Sequence, residues 1–286
     1  MLTIGFIGAG TTGTALAVRL TQQRYQVIAV SSRSLTSAEK LAEKVSGCKV
    51  YKAAQEVADV AQLVFITTPD DIIPKVAAEV QWHNEQNVIH CSGAHSVDIL
   101  EPAKQRGANT GCLHPLQTFA SVEQAIDNIP GSTFAVEAEE PLLTMLKEMA
   151  TNLEGDWVIL KAGDKVLYHA AAVIACNYLV TLVKLATDLW QTFGVSQAKA
   201  TKALMPLLQG TLSNIENVGL PTCLTGPIAR GDLGTIRKHL EALEKENPSL
   251  LGTYKELGLQ TIPIALAKGK IDPQRAGELQ ALLERK

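Results

Sequence analysis

Residues 4–20 read IGFIGAGTTGTALAVRL. An apolar run (Ile4, Phe6, Ile7) meets the turn Gly8-Ala9-Gly10-Thr11-Thr12-Gly13, and a helix-period pattern of Ala15, Leu16, Val18 and Leu20 follows at once. Strand, glycine turn and helix in that order open a dinucleotide-binding βαβ unit. Gly8 permits the tight turn, Gly10 lets the backbone approach a pyrophosphate, and Gly13 lets the helix pack close to the strand. The free N–H groups at the helix start, helped by the helix dipole, then face the phosphates. All six residues of the turn are cofactor-binding candidates.

The next apolar run, Tyr25–Val30, ends in Ser31-Ser32-Arg33-Ser34. A site for NAD usually places a carboxylate here to accept from the ribose 2′-OH, but no Asp or Glu occurs between Gly13 and Glu39. Hydroxyls and a guanidinium suit a 2′-phosphate instead, which points to NADP(H), with Ser31, Ser32 and Arg33 holding that phosphate.

Outward from this start, strand-like and helix-like stretches alternate to about residue 160, the pattern of a doubly wound, mostly parallel sheet. Thr36 and Glu39 form a capping-box pattern that opens a second helix, and Asp70 suits the start of another. After Leu160 the strand signal stops. One long helix is expected over 163–194, with others near 196–216, 231–247, 248–258 and 272–286. The expected organisation is an α/β nucleotide domain over residues 1–161 and an all-α substrate and dimerisation domain over 162–286.

Composition narrows the function. A net charge of −3 without a basic block argues against nucleic acid or an anionic membrane as partner. Five cysteines without a CxxC pair indicate no disulfide set and, with a first strand starting at Leu2, a cytoplasmic protein without a signal peptide. No spacing matches a zinc pattern, so no metal is expected. The apolar stretch Tyr168–Val183 contains His169, Asn177 and Thr181, and reads as a buried helix rather than a membrane span.

Chemistry is expected where strands end. The loop Thr67-Thr68-Pro69-Asp70-Asp71 follows one strand and brings Thr68 and Pro69 to the nicotinamide side of the cofactor. Another strand ends His90-Cys91-Ser92-Gly93-Ala94-His95, where Ser92 and Gly93 make a seat for a substrate carboxylate. His114 precedes Pro115 at a further strand end. On the long helix, Lys165 and His169 are four apart and share a face, a pairing able to protonate an alkoxide formed from a carbonyl. Asn177, eight residues on, is expected on that face as a buried amide, either bonded to neighbouring backbone or lining the substrate pocket. Arg230, in Leu224–Asp232, is a carboxylate-clamp candidate.

The motifs GFIGAGTTG, TTPDD, HCSGAHS, HPLQTF, KVLYHAAAVIACNYL and LTGPIARGD, in that order, resemble a bacterial family of oxidoreductases that joins a Rossmann-like domain to a DUF2520 domain. The wider 6-phosphogluconate dehydrogenase-like superfamily includes β-hydroxyacid dehydrogenases, ketopantoate reductases and pyrroline-5-carboxylate reductases. The resemblance implies NADP-dependent hydride transfer, a small carbonyl substrate such as ketopantoate, and a homodimer formed through the helical domain. It also implies a substrate-holding Ser92-Gly93 turn and a catalytic Lys165, although His169 stands where β-hydroxyacid dehydrogenases carry an asparagine. Reduction of a cyclic imine, or binding of NADP(H) without turnover, are the alternatives.

Overall fold

The computed structural model describes residues 2–285 and divides into two compact units, one ending at Cys176 and one beginning at Asn177. In the first unit, β1 (Thr3–Ile7), α1 (Thr11–Gln22), β2 (Gln26–Ser31), α2 (Leu35–Lys44), β3 (Lys49–Tyr51), α3 (Ala54–Val60), β4 (Leu63–Ile66) and α4 (Ile73–Glu79) come first. They are followed by β5 (Asn87–His90), a 3-10 turn (Val97–Leu100), α5 (Glu101–Lys104), β6 (Asn109–Leu116), α6 (Val122–Asn128), β7 (Thr133–Ala138), α7 (Leu142–Asn152) and β8 (Asp156–Ile159). The sheet order is β3-β2-β1-β4-β5-β6-β7-β8, and every pair is parallel except β6 with β7. This is the doubly wound, mostly parallel sheet expected from the alternation.

Helices cover both faces because the central strands are apolar on both sides: every residue of Leu63–Ile66 is buried. One core packs α1, α2 and α7 on the sheet around Phe6, Leu16, Phe65 and Leu146. The other packs α3, α4 and α5 around Ile7, Val57, Ile66 and Ala103. The rings of Phe6 and Phe65 stack at 4.9 Å across β1 and β4. Burying each such side chain is worth about 1.5–3 kcal/mol. The order in which strands are added reverses at β1, which lies between β2 and β4, and this opens a crevice at the strands' carboxyl ends.

Two local expectations change. Ser34, not Thr36, caps α2, its hydroxyl accepting from Ser37 N–H, because the helix begins two residues before the capping-box pattern would start it. Asp70 does not cap α4, which begins at Ile73; its carboxylate accepts instead from the Ser92 hydroxyl.

The first unit runs on past Lys161 through α8 (Lys165–Ala172), because Lys165 and Tyr168 hydrogen-bond to the β5 and β6 ends. The stretch expected as one helix is interrupted by a π turn at Val173–Asn177 before α9 (Tyr178–Gln191). It is not buried in this chain either. On α8 only Lys165 is buried and on α9 only Thr187, while Leu167 is 77% exposed. By length and composition Lys165–Gln191 could cross a membrane. Apolar content shows that a face wants covering but not what covers it.

The second unit continues with α10 (Gln197–Val218), α11 (Leu233–Glu246), α12 (Pro248–Ala267) and α13 (Pro273–Glu284). Its core joins Ile228, Ile236, Ile262, Leu279 and Leu283. Helix α12 does not stop at Gly258 as expected. That glycine is a close-packing site, where a Cβ would stand 3.0 Å from Leu283 of α13.

Candidate active site

The crevice beside β1 holds a cavity of about 460 Å³. The turn after β1 contributes Gly8, Ala9 and Gly10; the end of β2 contributes Ser31, Ser32, Arg33, Ser34 and Ser37; the end of β4 contributes Thr67, Thr68, Pro69, Ile72 and Val76. Lys52 and Ala54, after β3, complete the wall. Lys52 carries no signal in its own sequence context. It arrives because β2 and β3 pair with Ser31 opposite Tyr51, so Ser32 and Lys52 leave the sheet side by side.

Hydrogen bonds fix the glycine turn. Gly8 N–H donates to Ser31 O at 2.8 Å, Thr67 N–H to Ile7 O at 2.8 Å, and the Thr67 hydroxyl to Gly8 O at 2.9 Å. Gly8 has φ +111°, and a Cβ there would stand 2.6 Å from the Thr67 carbonyl carbon, so both conformation and space require glycine. Gly13 lies on α1 against Thr67, where a Cβ would be 3.0 Å from Gly8 O. Thr11, Thr12 and Gly13 thus form the first turn of α1, while the cavity is lined by the residues before them.

The residues present fit a dinucleotide phosphate. Gly10 has open space where a Cβ would be, and no side chain caps α1, which leaves its first N–H groups for an anion. The Thr68 hydroxyl, on the cavity wall, is buried without a partner. No carboxylate lines the cavity, whereas Arg33 and Lys52 both do. The chemistry of this donor set is that of a phosphate-rich ligand.

A second cluster lies at the ends of β5 and β6, tied to the cavity wall by the short loop from Pro69 to Asp70. The Ser92 hydroxyl donates to Asp70 Oδ2 at 2.8 Å and accepts from Ala94 N–H and His95 N–H, so it is spent on the turn. Ser92 N–H donates to His90 Nδ1 at 3.1 Å. Lys165 is 1% exposed; its Nζ donates to Ser92 O and to Cys112 Sγ, each at 2.9 Å. A lysine in a helix's first turn is disfavoured by the dipole. Here the ammonium reaches into the strand ends and ties β5 to β6.

Over this turn stand two imidazoles. A Cβ on Gly93 would lie 2.7 Å from His114 Nε2 and 2.9 Å from His169 Nδ1. His114 Nδ1 and the Tyr168 hydroxyl are hydrogen-bonded at 2.8 Å, and His169 Nδ1 is buried without a partner. Burial first, and then the Lys165 charge, lowers both His90 and His114 to about 3 from the ordinary 6.5, so both rings are neutral. Burial raises the Cys112 thiol to about 11 against the pull of Lys165, and burial raises the Tyr168 phenol.

Gly8, Ala9, Gly10, Ser31, Ser32, Arg33, Thr68 and Pro69 therefore share one cavity, and Ser92, Gly93, His114, Lys165 and His169 one cluster. Asn177 and Arg230 belong to the second unit. Asn177 is exposed, contrary to the expectation of a buried amide. The π turn that contains it also breaks the helical spacing which would have put it on the His169 face. Arg230 lines a separate hollow with Lys268 and Lys270. Sequence reasoning missed Ser37, Lys52, Cys112 and Tyr168; only Tyr168 had a local signal, standing three residues after Lys165 on the same helix.

The fold and site define the class: a nucleotide-binding α/β unit with a histidine-lined cluster beside its cofactor crevice, followed by a helical unit. Residues 1–115 match the Rossmann-like domain model, and residues 132–261 match the model described as Domain of unknown function (DUF2520). Together the two matches take in most of the chain. No curated protein matches it.

Among solved structures it is similar to BF3122 of Bacteroides fragilis, named provisionally as an NADP oxidoreductase. That pair is 25% identical with a TM-score of 0.75, over 92% of this chain and 98% of the other. A reductive aminase of Aspergillus terreus, solved with NADPH and ethyl-5-oxohexanoate, is 17% identical with a TM-score of 0.64, over 100% and 93%. A pyrroline-5-carboxylate reductase of Coxiella burnetii is 18% identical with a TM-score of 0.61, over 97% and 98%. The last two likenesses establish the fold.

Proposed function

We propose that this chain is an NADPH-dependent reductase of a small carbonyl compound, a 2-keto acid such as ketopantoate. The observation that carries the reading is the cavity beside β1, which Arg33 and Lys52 line and no carboxylate does. Two cations and the Ser32 and Ser37 hydroxyls hold the 2′-phosphate, and the turn Gly8–Gly10 with the α1 N-terminus holds the pyrophosphate. When bound, NADPH supplies the hydride.

The chain's own groups do the rest. Asp70 holds the Ser92 turn through the Ser92 hydroxyl, and Lys165 holds the same turn through the Ser92 carbonyl. Gly93 leaves room for the two imidazoles. His169, whose Nδ1 has no protein partner, carries the proton a reduced carbonyl oxygen needs, with the Lys165 ammonium as the positive charge behind it.

A second reading, reduction of a cyclic imine, asks less of a proton donor, because an iminium arrives already protonated. Absorbance at the nicotinamide band tests both, with NADPH and then NADH offered against 2-keto acids and cyclic imines. Consumption of NADPH with a keto acid, abolished in Lys165→Ala, is the expected result. Activity on an imine that survives Lys165→Ala favours the second reading. Cofactor binding without turnover on the panel would mark a nucleotide sensor.

The reading includes a homodimer. Tyr178, Val180, Phe193, Leu207 and Leu212 are all more than half exposed on and beside α9 and α10, a surface that a second copy covers. Sedimentation at micromolar concentration tests this, and a monomer would refute it. All five cysteines are free.

A further inference from the structure

His114 is a ring with one nitrogen tied and one presented. Its Nδ1 meets the Tyr168 hydroxyl at 2.8 Å, and its Nε2 points at the Gly93 turn, close to the unpartnered Nδ1 of His169. The two rings stand nearly perpendicular, with centroids 6.5 Å apart. Around His114 stand the Lys165 ammonium and Tyr168 from α8, His169 from the same helix, and the Cys112 thiol two residues before it on β6. The Tyr168 hydroxyl has no other hydrogen-bond acceptor among the described residues. The pair is satisfied when the phenol donates and Nδ1 accepts, which leaves the ring hydrogen on Nε2.

We propose that Tyr168 is a positioning residue that fixes the His114 hydrogen on Nε2, and that this N–H donates to the oxygen of the carbonyl being reduced. The proposal rests on the carbonyl-reductase reading above. A neutral imidazole held in place is a suitable donor for an oxygen gaining negative charge: its hydrogen bond strengthens as the charge develops, and it needs no reorganisation. The Tyr168 phenol, raised by burial, keeps its hydrogen throughout, so its part is to set the ring's tautomer and not to lose a proton. The division of labour follows. His114 polarises the oxygen, His169 carries the proton, and burial, with the Lys165 charge second, keeps His114 uncharged.

The test uses the full chain labelled with ¹⁵N-histidine and long-range ¹H–¹⁵N spectra. His114 is expected to be neutral with its hydrogen on Nε2 across about pH 5–8, and to show both tautomers in Tyr168→Phe. With a keto acid from the absorbance screen, Tyr168→Phe is expected to lower kcat by about 10- to 100-fold, leaving KM and the NADPH Kd in place. His114→Gln supplies a control, because a glutamine amide donates without help from Tyr168. On that background Tyr168→Phe should cost nothing further. A wild-type hydrogen on Nδ1, an unchanged kcat in Tyr168→Phe, or an equal loss on the His114→Gln background would each overturn the proposal. If no carbonyl compound is reduced, the reductase reading falls and takes the oxygen-holding role with it, while the spectra separately decide whether Tyr168 sets the ring.

Discussion

Replacing Gly93 by alanine tests the geometry of the cluster most directly. Gly93 is not among the glycines with positive φ, so alanine meets no backbone strain and its effect is steric alone. The new methyl would stand 2.7 Å from His114 Nε2, 2.8 Å from His114 Cε1 and 2.9 Å from His169 Nδ1. Each contact is short of ordinary van der Waals packing by roughly 0.7–1 Å. His114 cannot swing away without breaking its bond to Tyr168. Overpacking of this kind costs about 1–3 kcal/mol. At about 2–4 °C per kcal/mol for a unit of this size, Tm should fall by about 2–12 °C, as read by far-UV circular dichroism. Cofactor affinity should hold, because Gly93 does not line the nucleotide cavity. Gly10→Ala should do the reverse. Its methyl meets nothing within 4 Å, so Tm stays, but it projects where the pyrophosphate must pass and NADPH binding is lost. A Gly93→Ala protein with unchanged Tm and unchanged turnover would show that the imidazoles do not converge on this turn.

Two further outcomes concern the nucleotide cavity and the buried imidazoles. Arg33→Gln and Lys52→Gln should each weaken NADPH binding by about tenfold, the worth of one charge-assisted hydrogen bond, and leave NADH affinity alone; calorimetric titration with both nucleotides checks this. Equal losses for the two nucleotides would remove these residues from the 2′-phosphate. Stability should depend on pH through His90 and His114, both lowered from 6.5 to about 3 on folding. Between those values the unfolded chain binds more protons, so stability is fully present above about pH 6.5 and is lost as pH falls toward 3. Tm measured down that range should decline, and less steeply in His114→Gln; a flat profile would show the rings are not held neutral.

Residues 4–34 determined the nucleotide unit without help from the rest of the chain. A glycine turn's first demand is local: Gly8 needs its positive φ, and the missing carboxylate after β2 is visible in the residues themselves. The alternation of strands and helices likewise set the sheet, because period and turn chemistry act over a few residues. Lys52 entered the cavity only through the β2–β3 register, Ser92 spent its hydroxyl on Asp70 across two loops, and Tyr168 met His114 from 54 positions away. Burial was decided in the same way. Lys165 is inside and Leu167 outside, the opposite of their hydropathies, because Lys165 finds the Ser92 carbonyl and the Cys112 sulfur at the strand ends. Local sequence carries the preferences of each backbone segment, but a side chain's partner is set by which segments the fold brings together.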